Sequence, residues 1–254
     1  MKAHVLLAPL LLIPTLALAH GAQDHSPPKR GKPAKGLVSP VSPKVTASFD
    51  LVRTEVRREG GHILFRQEVR EEAGKLTPTP TGQLAGSEVF SYVWPTSIDS
   101  GAVGFDAAQG LLAFVLTAHP DFDDTPLEDE NGDGNKGNDG NLWHSHWVVL
   151  VKDASCSGGL KVRDIPEGSR PKLPKTWPGL PILIDSPGFK PALRGQVVEV
   201  RIPEQAAAFP AQFNYDGVTA ALKVNANLHD PLLCVTGTFD VASGDLSLPG
   251  RVLR

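Results

Sequence analysis

The stretch from Leu111 to Val151 reads LLAFVLTAHPDFDDTPLEDENGDGNKGNDGNLWHSHWVVLV. It begins and ends in apolar runs, LLAFVLT at 111–117 and LWHSHWVVLV at 142–151, each the length of a buried strand. If the two pair as a long hairpin, Thr117 and Ala118 lie opposite residues near Leu142 and Trp143. The same pattern extends outward. The runs Phe49 to Arg58 and His62 to Glu71 flank Glu59-Gly60-Gly61 as a hairpin. Ile63, Phe65 and Val69 share one face of it, with Arg66, Glu68 and Arg70 opposite. Val197 to Ile202 alternates. Leu222, Val224, Ala226 and Leu228 alternate with Lys223, Asn225, Asn227 and His229, and Val235, Gly237, Phe239 and Val241 form a last strand. No long 3.6-residue pattern with caps occurs, and Gln205 to Ala208 reads as one helical turn at most. Gly 25 and Pro 23 punctuate the 254 residues with turns. These features define an all-β chain: an antiparallel β-sandwich, or an open barrel, with one long acidic metal-binding loop between two core strands.

Three segments follow. Residues 1–19, MKAHVLLAPLLLIPTLALA, read as a signal peptide ending at Ala17-Leu18-Ala19. Residues 20–44, rich in Pro, Lys and Gly, read as a flexible tether. His20, if it became the mature N-terminus, could chelate copper, but its setting favours a solvated residue. Residues 45–254 read as a single β-sandwich domain. Export to the periplasm or the medium puts Cys156 and Cys234 in an oxidising compartment, where a disulfide is expected. The net charge of −3 argues against a nucleic-acid partner. No second apolar run is present, so no integral membrane span is expected. Two cysteines cannot build a four-cysteine zinc site, and the single methionine excludes a thioether copper site. The aromatics of Tyr92-Val93-Trp94-Pro95 and the Trp177-Pro178-Gly179 loop could stack on a sugar; core packing and turn rigidity are the simpler reading.

The connection at 119–141 carries eight Asp or Glu and one Lys between Asp121 and Asp139, a local charge of −7 against +4 for the rest of the chain. Such crowding calls for a cation. Asp129-Glu130-Asn131-Gly132-Asp133-Gly134 resembles the opening of EF-hand and dockerin calcium loops. By position, that resemblance makes Asp129, Asn131 and Asp133 side-chain ligands and Asn135 a carbonyl ligand. The twelfth position is Gly140 rather than Glu, so Asp139 stands in for it.

Two residues apart on a strand, His144 and His146 point to one face, while Trp143 and Trp147 take the other. Hairpin pairing brings His119 beside them, with Asp121 and Asp123 close behind. Three imidazoles and a carboxylate suit zinc, copper or non-haem iron. An H-x-H pair on a strand with a third His nearby recurs in cupin-like barrels and copper–zinc sandwich proteins, though the Glu of the cupin pattern is missing here.

The sequence leads to an exported, non-enzymatic metal-binding protein with structural calcium at 129–139 and zinc or copper at His119, His144 and His146. One alternative is a mononuclear metalloenzyme on the same histidines with Asp121 or Asp123 as general base. Another is a calcium-shaped carbohydrate-binding or adhesion module with a glycan or protein partner.

Overall fold

The computed structural model describes residues 36–254. The signal peptide, His20 and most of the tether lie outside the described residues. The described chain is built from strands and two short 3₁₀ turns, Ser100–Val103 and Glu204–Ala206. None of its helices is long and apolar enough to cross a membrane.

Fourteen strands form among the described residues. They are β1 (Leu37–Val38), β2 (Leu51–Glu59), β3 (His62–Val69), β4 (Glu88–Pro95), β5 (Leu111–Ala118), β6 (His144–Lys152) and β7 (Leu160–Val162). They continue with β8 (Ile184–Asp185), β9 (Pro191–Arg194), β10 (Val197–Pro203), β11 (Phe213–Tyr215), β12 (Val218–Val224), β13 (Leu233–Val241) and β14 (Gly250–Val252). All pairings are antiparallel.

Six strands in the order β5-β4-β12-β13-β7-β6 close into a barrel, because β6 also pairs with β5. The expected all-β, antiparallel class is realised, with a closed barrel and further sheets in place of an open barrel. Its weakest seam is β7, which has three residues and meets β13 at the Cys234–Lys161 pair. The Cys156–Cys234 disulfide, with Cα atoms 5.3 Å apart, covalently ties the β6–β7 connection to β13 beside that seam. The two-residue β8 lies along β6, pairing Asp185 with Trp147 and Ile184 with Val148.

A five-stranded sheet, β1-β2-β3-β10-β9, packs on one flank of the barrel. The hairpin of β2 and β3 turns at Gly60 and Gly61, whose φ values of +57° and +78° are the left-handed pair that a two-residue hairpin needs. Alternation sorts the residues between two cores. On β4, β5 and β6 the residues Tyr92, Trp94, Phe114, Trp147 and Val149 face the sheet, where Phe65 lies 4.8 Å from Phe114 and 5.9 Å from Trp147 by ring centroid. The motif around Tyr92 and Trp94 is thus core. The alternate residues Val93, Val115, Val148 and Leu150 fill the barrel with Leu222, Val224 and Val235. The same alternation that buries Trp147 on the flank sends His144 and His146 into the barrel end.

Two stretches depart from their expected alternation. Strand β12 stops at Val224, and residues 225–229 turn instead, with Leu228 at φ +56° and Asn225 Oδ1 accepting from the Asn227 amide. Register shifts opposite β13 carry Val235 into the barrel while Phe239 stacks on Phe49 on the flank. At the other end, Leu37 and Val38, placed in the tether by composition, pair with Thr54 and Arg53 on the edge of the sheet.

Candidate metal centre

Strands β5 and β6 pair Thr117 with His144 and Val115 with His146. His119 follows β5 directly, and its amide donates to the Gly140 carbonyl at 2.6 Å. A Cβ at Gly140 would collide with the carbonyls of Phe122 and His119, so glycine is required there. This closure stacks the His119 ring on Phe122, with centroids 3.9 Å apart, and brings all three imidazoles to one point. Each is 1–2% exposed.

The carboxylate at the centre is Asp124. Its Oδ1 lies 3.2 Å from His119 Nε2, 3.1 Å from His144 Nε2 and 3.3 Å from His146 Nε2. His119 and His144 present their Nε2 atoms 2.9 Å apart. The Thr117 hydroxyl is 3.1 Å from His144 Nε2.

Proton positions follow from the partners of the far nitrogens. His119 Nδ1 is 2.9 Å from the Phe122 carbonyl and His144 Nδ1 is 2.7 Å from the Leu142 carbonyl. Carbonyls only accept, so both Nδ1 atoms carry hydrogen. His146 Nδ1 is 3.1 Å from Ser186 Oγ, which donates its own hydrogen to the Asp124 carbonyl at 2.6 Å. Ser186 must therefore accept, and His146 Nδ1 donates as well. All three Nε2 lone pairs then face Asp124 Oδ1. Asp124 Oδ1 and His146 Nε2 are buried without a hydrogen-bond partner.

Four electron-rich atoms packed this closely repel one another unless a cation lies between them. The separations of 2.9–3.3 Å match the edge of a tetrahedron whose centre is about 2.0 Å from each corner, the zinc–nitrogen and zinc–oxygen distance. Burial opposes the charge on Asp124. Were the imidazoles protonated in place of a metal, the charge of His146 and His119 and hydrogen bonds from His119 and His144 would nonetheless hold its carboxyl well below the usual carboxylate range. The donor set could hold one metal ion. A cavity of about 60 Å³ in the barrel interior ends at His119, Asp124 and His146 and is otherwise mostly apolar.

The expected residues separate. His119, His144 and His146 converge. Asp121 and Asp123 do not join them: Asp121 accepts from the Thr81 and Gly82 amides on the surface, at 2.7 and 2.6 Å from its Oδ1. Asp123 accepts from Thr125 and from the Asp139 amide. Their place is taken by Asp124, one residue beyond Asp123. Half-buried Asp129 and exposed Asn131, Asp133 and Asn135 sit at the loop tip, where their side-chain oxygens accept from loop amides. Asp139 is 0% exposed and lies with Asp123 and Glu130 at the loop's root. Burial pushes the Glu130 carboxyl up. Sequence reasoning missed Asp124, Glu130 and Ser186. The Asp123-Asp124 doublet was a visible signal for the first; nothing local marks Ser186.

No family model, curated protein or solved structure matches the chain.

Proposed function

We propose that this chain is an exported, non-enzymatic metal-binding protein that holds one transition-metal ion, zinc or copper, on His119, Asp124, His144 and His146. The observation that carries the reading is the unpartnered, wholly buried Asp124 Oδ1 facing three imidazole lone pairs. Four protein donors complete a tetrahedral shell, the pattern of a closed zinc site rather than an open catalytic one. The far nitrogens are each anchored, as metal-ligating histidines require. The Cys156–Cys234 bond supports residence in an oxidising compartment.

The test is elemental analysis of the secreted chain by plasma mass spectrometry. The expected result is one equivalent of zinc or copper that His144→Ala abolishes, with electron paramagnetic resonance separating Cu²⁺ from silent Zn²⁺. Wild-type protein that takes up neither metal at stoichiometry would overturn the reading. The cavity beside the ligands favours a second reading, a metalloenzyme in which one ligand gives way to a small substrate. It requires metal-dependent turnover, which the first reading excludes.

A further inference from the structure

We propose that Asp123, Glu130 and Asp139 form a second cation site, separate from the histidine centre, which takes one hard divalent ion with the size of calcium. Each residue offers a carboxylate oxygen within 4.8 Å of the others. Two oxygens sharing a calcium ion at 2.3–2.6 Å lie at most about 4.6–5.2 Å apart, so three such atoms can meet on one ion. The donors are all oxygen and all anionic, which selects calcium over zinc or copper.

A cluster of acids alone would not make a site. Here Asp139 is 0% exposed, and its Oδ1 has no hydrogen-bond partner. Glu130 Oε2 is likewise buried and unpartnered. Three of the other oxygens are used by the loop itself: Asp139 Oδ2 accepts from the Glu130 amide at 2.9 Å, Asp123 Oδ2 from the Asp139 amide at 2.8 Å, and Asp123 Oδ1 from Thr125. Among the described residues, no lysine or arginine forms an ion pair with any of the three. A cation would satisfy both orphaned oxygens at once. It would also clamp the start of the 119–141 connection, at Asp123, to its end, at Asp139.

The position differs from the loop tip, where the calcium-loop resemblance points. At the tip, Asp129 Oδ1 and Oδ2, Asn131 Oδ1 and Asp133 Oδ1 already accept from amides. The experiment is calorimetric titration of calcium chloride into the calcium-depleted, otherwise intact protein. One equivalent is expected to bind. Asp139→Asn keeps the acceptor for the Glu130 amide, and Glu130→Gln changes a half-buried residue, so both variants should fold; circular dichroism checks this. Each is expected to weaken calcium by about tenfold or more, while Asp129→Asn with Asp133→Asn leaves it within about twofold. Absence of calcium uptake by the wild type, or loss through the tip variant with Asp139→Asn unaffected, would overturn the site. None of these readouts depends on the histidine centre, whose failure would show separately as missing zinc or copper.

Discussion

Ser186 fixes the tautomer of His146. Its hydroxyl hydrogen is committed to the Asp124 carbonyl at 2.6 Å, so its oxygen is left to accept from His146 Nδ1 at 3.1 Å. One serine thus orients His146 on β6 and anchors the backbone of Asp124, whose carboxylate faces it. Strand β8 holds Ser186 in place by pairing with β6 at Trp147 and Val148. Ser186→Ala is expected to weaken zinc about 10–100-fold without unfolding the protein. Competition against a chromophoric chelator measures this, and unchanged affinity would remove Ser186 from the site.

The metal should be a large part of the protein's stability. Saturation at about a thousand times Kd contributes about 4 kcal/mol. Chelation is therefore expected to lower the melting temperature of the wild type by several degrees and to leave Asp124→Asn nearly unmoved. Protons compete for the three imidazoles, so the bound ion should leave on acidification, before the barrel melts. Calorimetry with and without chelator, repeated down a pH series, checks both.

Tyr92 sets an alkaline limit. Its hydroxyl donates to the Ser48 carbonyl and accepts from the Gly74 amide, both at 2.8 Å, within the flank core. Burial pushes it up to about 12. The native state then keeps a proton that the unfolded chain releases near pH 10, so stability is intact below pH 10 and falls as pH rises towards 12. The loss is about 2 kcal/mol by pH 12. In Tyr92→Phe this slope should shrink to the part left by Tyr215, whose hydroxyl burial also pushes up, while stability at neutral pH drops by about 1 kcal/mol for the lost hydrogen bonds. Urea titrations at pH 8 and pH 11 separate the two.

Replacing Cys156 and Cys234 together by Ser opens a loop of 78 residues. The expected cost is about 2–5 kcal/mol. Hydrogen exchange should show the loss first at β7, the three-residue strand that stands between β13 and β6. Uniform loosening of every strand would contradict that seam.

The histidine triad could be read in advance because strand alternation and one hairpin determine it: His144 and His146 share a face, and His119 follows the partner strand. The carboxylate could not. Asp121, Asp123 and Asp124 fall within four residues, and which one turns inward depends on partners far away in sequence, Thr81 for Asp121 and Ser186 for the Asp124 backbone. Barrel closure was hidden for a similar reason. It rests on β7, a strand of three residues whose hydrophobic pattern is too short to see. Asp139 falls one place before the twelfth position of the calcium-loop pattern, and the close approach at Gly140 turns it inward, away from the tip.

The five-stranded sheet ends on one side in β1, two residues long, and on the other in β9, four residues long and opening with Pro191. Pro191 has no amide hydrogen to offer a neighbour. A strand arriving from another copy at β9 finds a short ladder that opens on a residue without an amide, and the barrel beside the sheet is closed onto itself. The architecture therefore resists edge-to-edge aggregation even where the protein is concentrated.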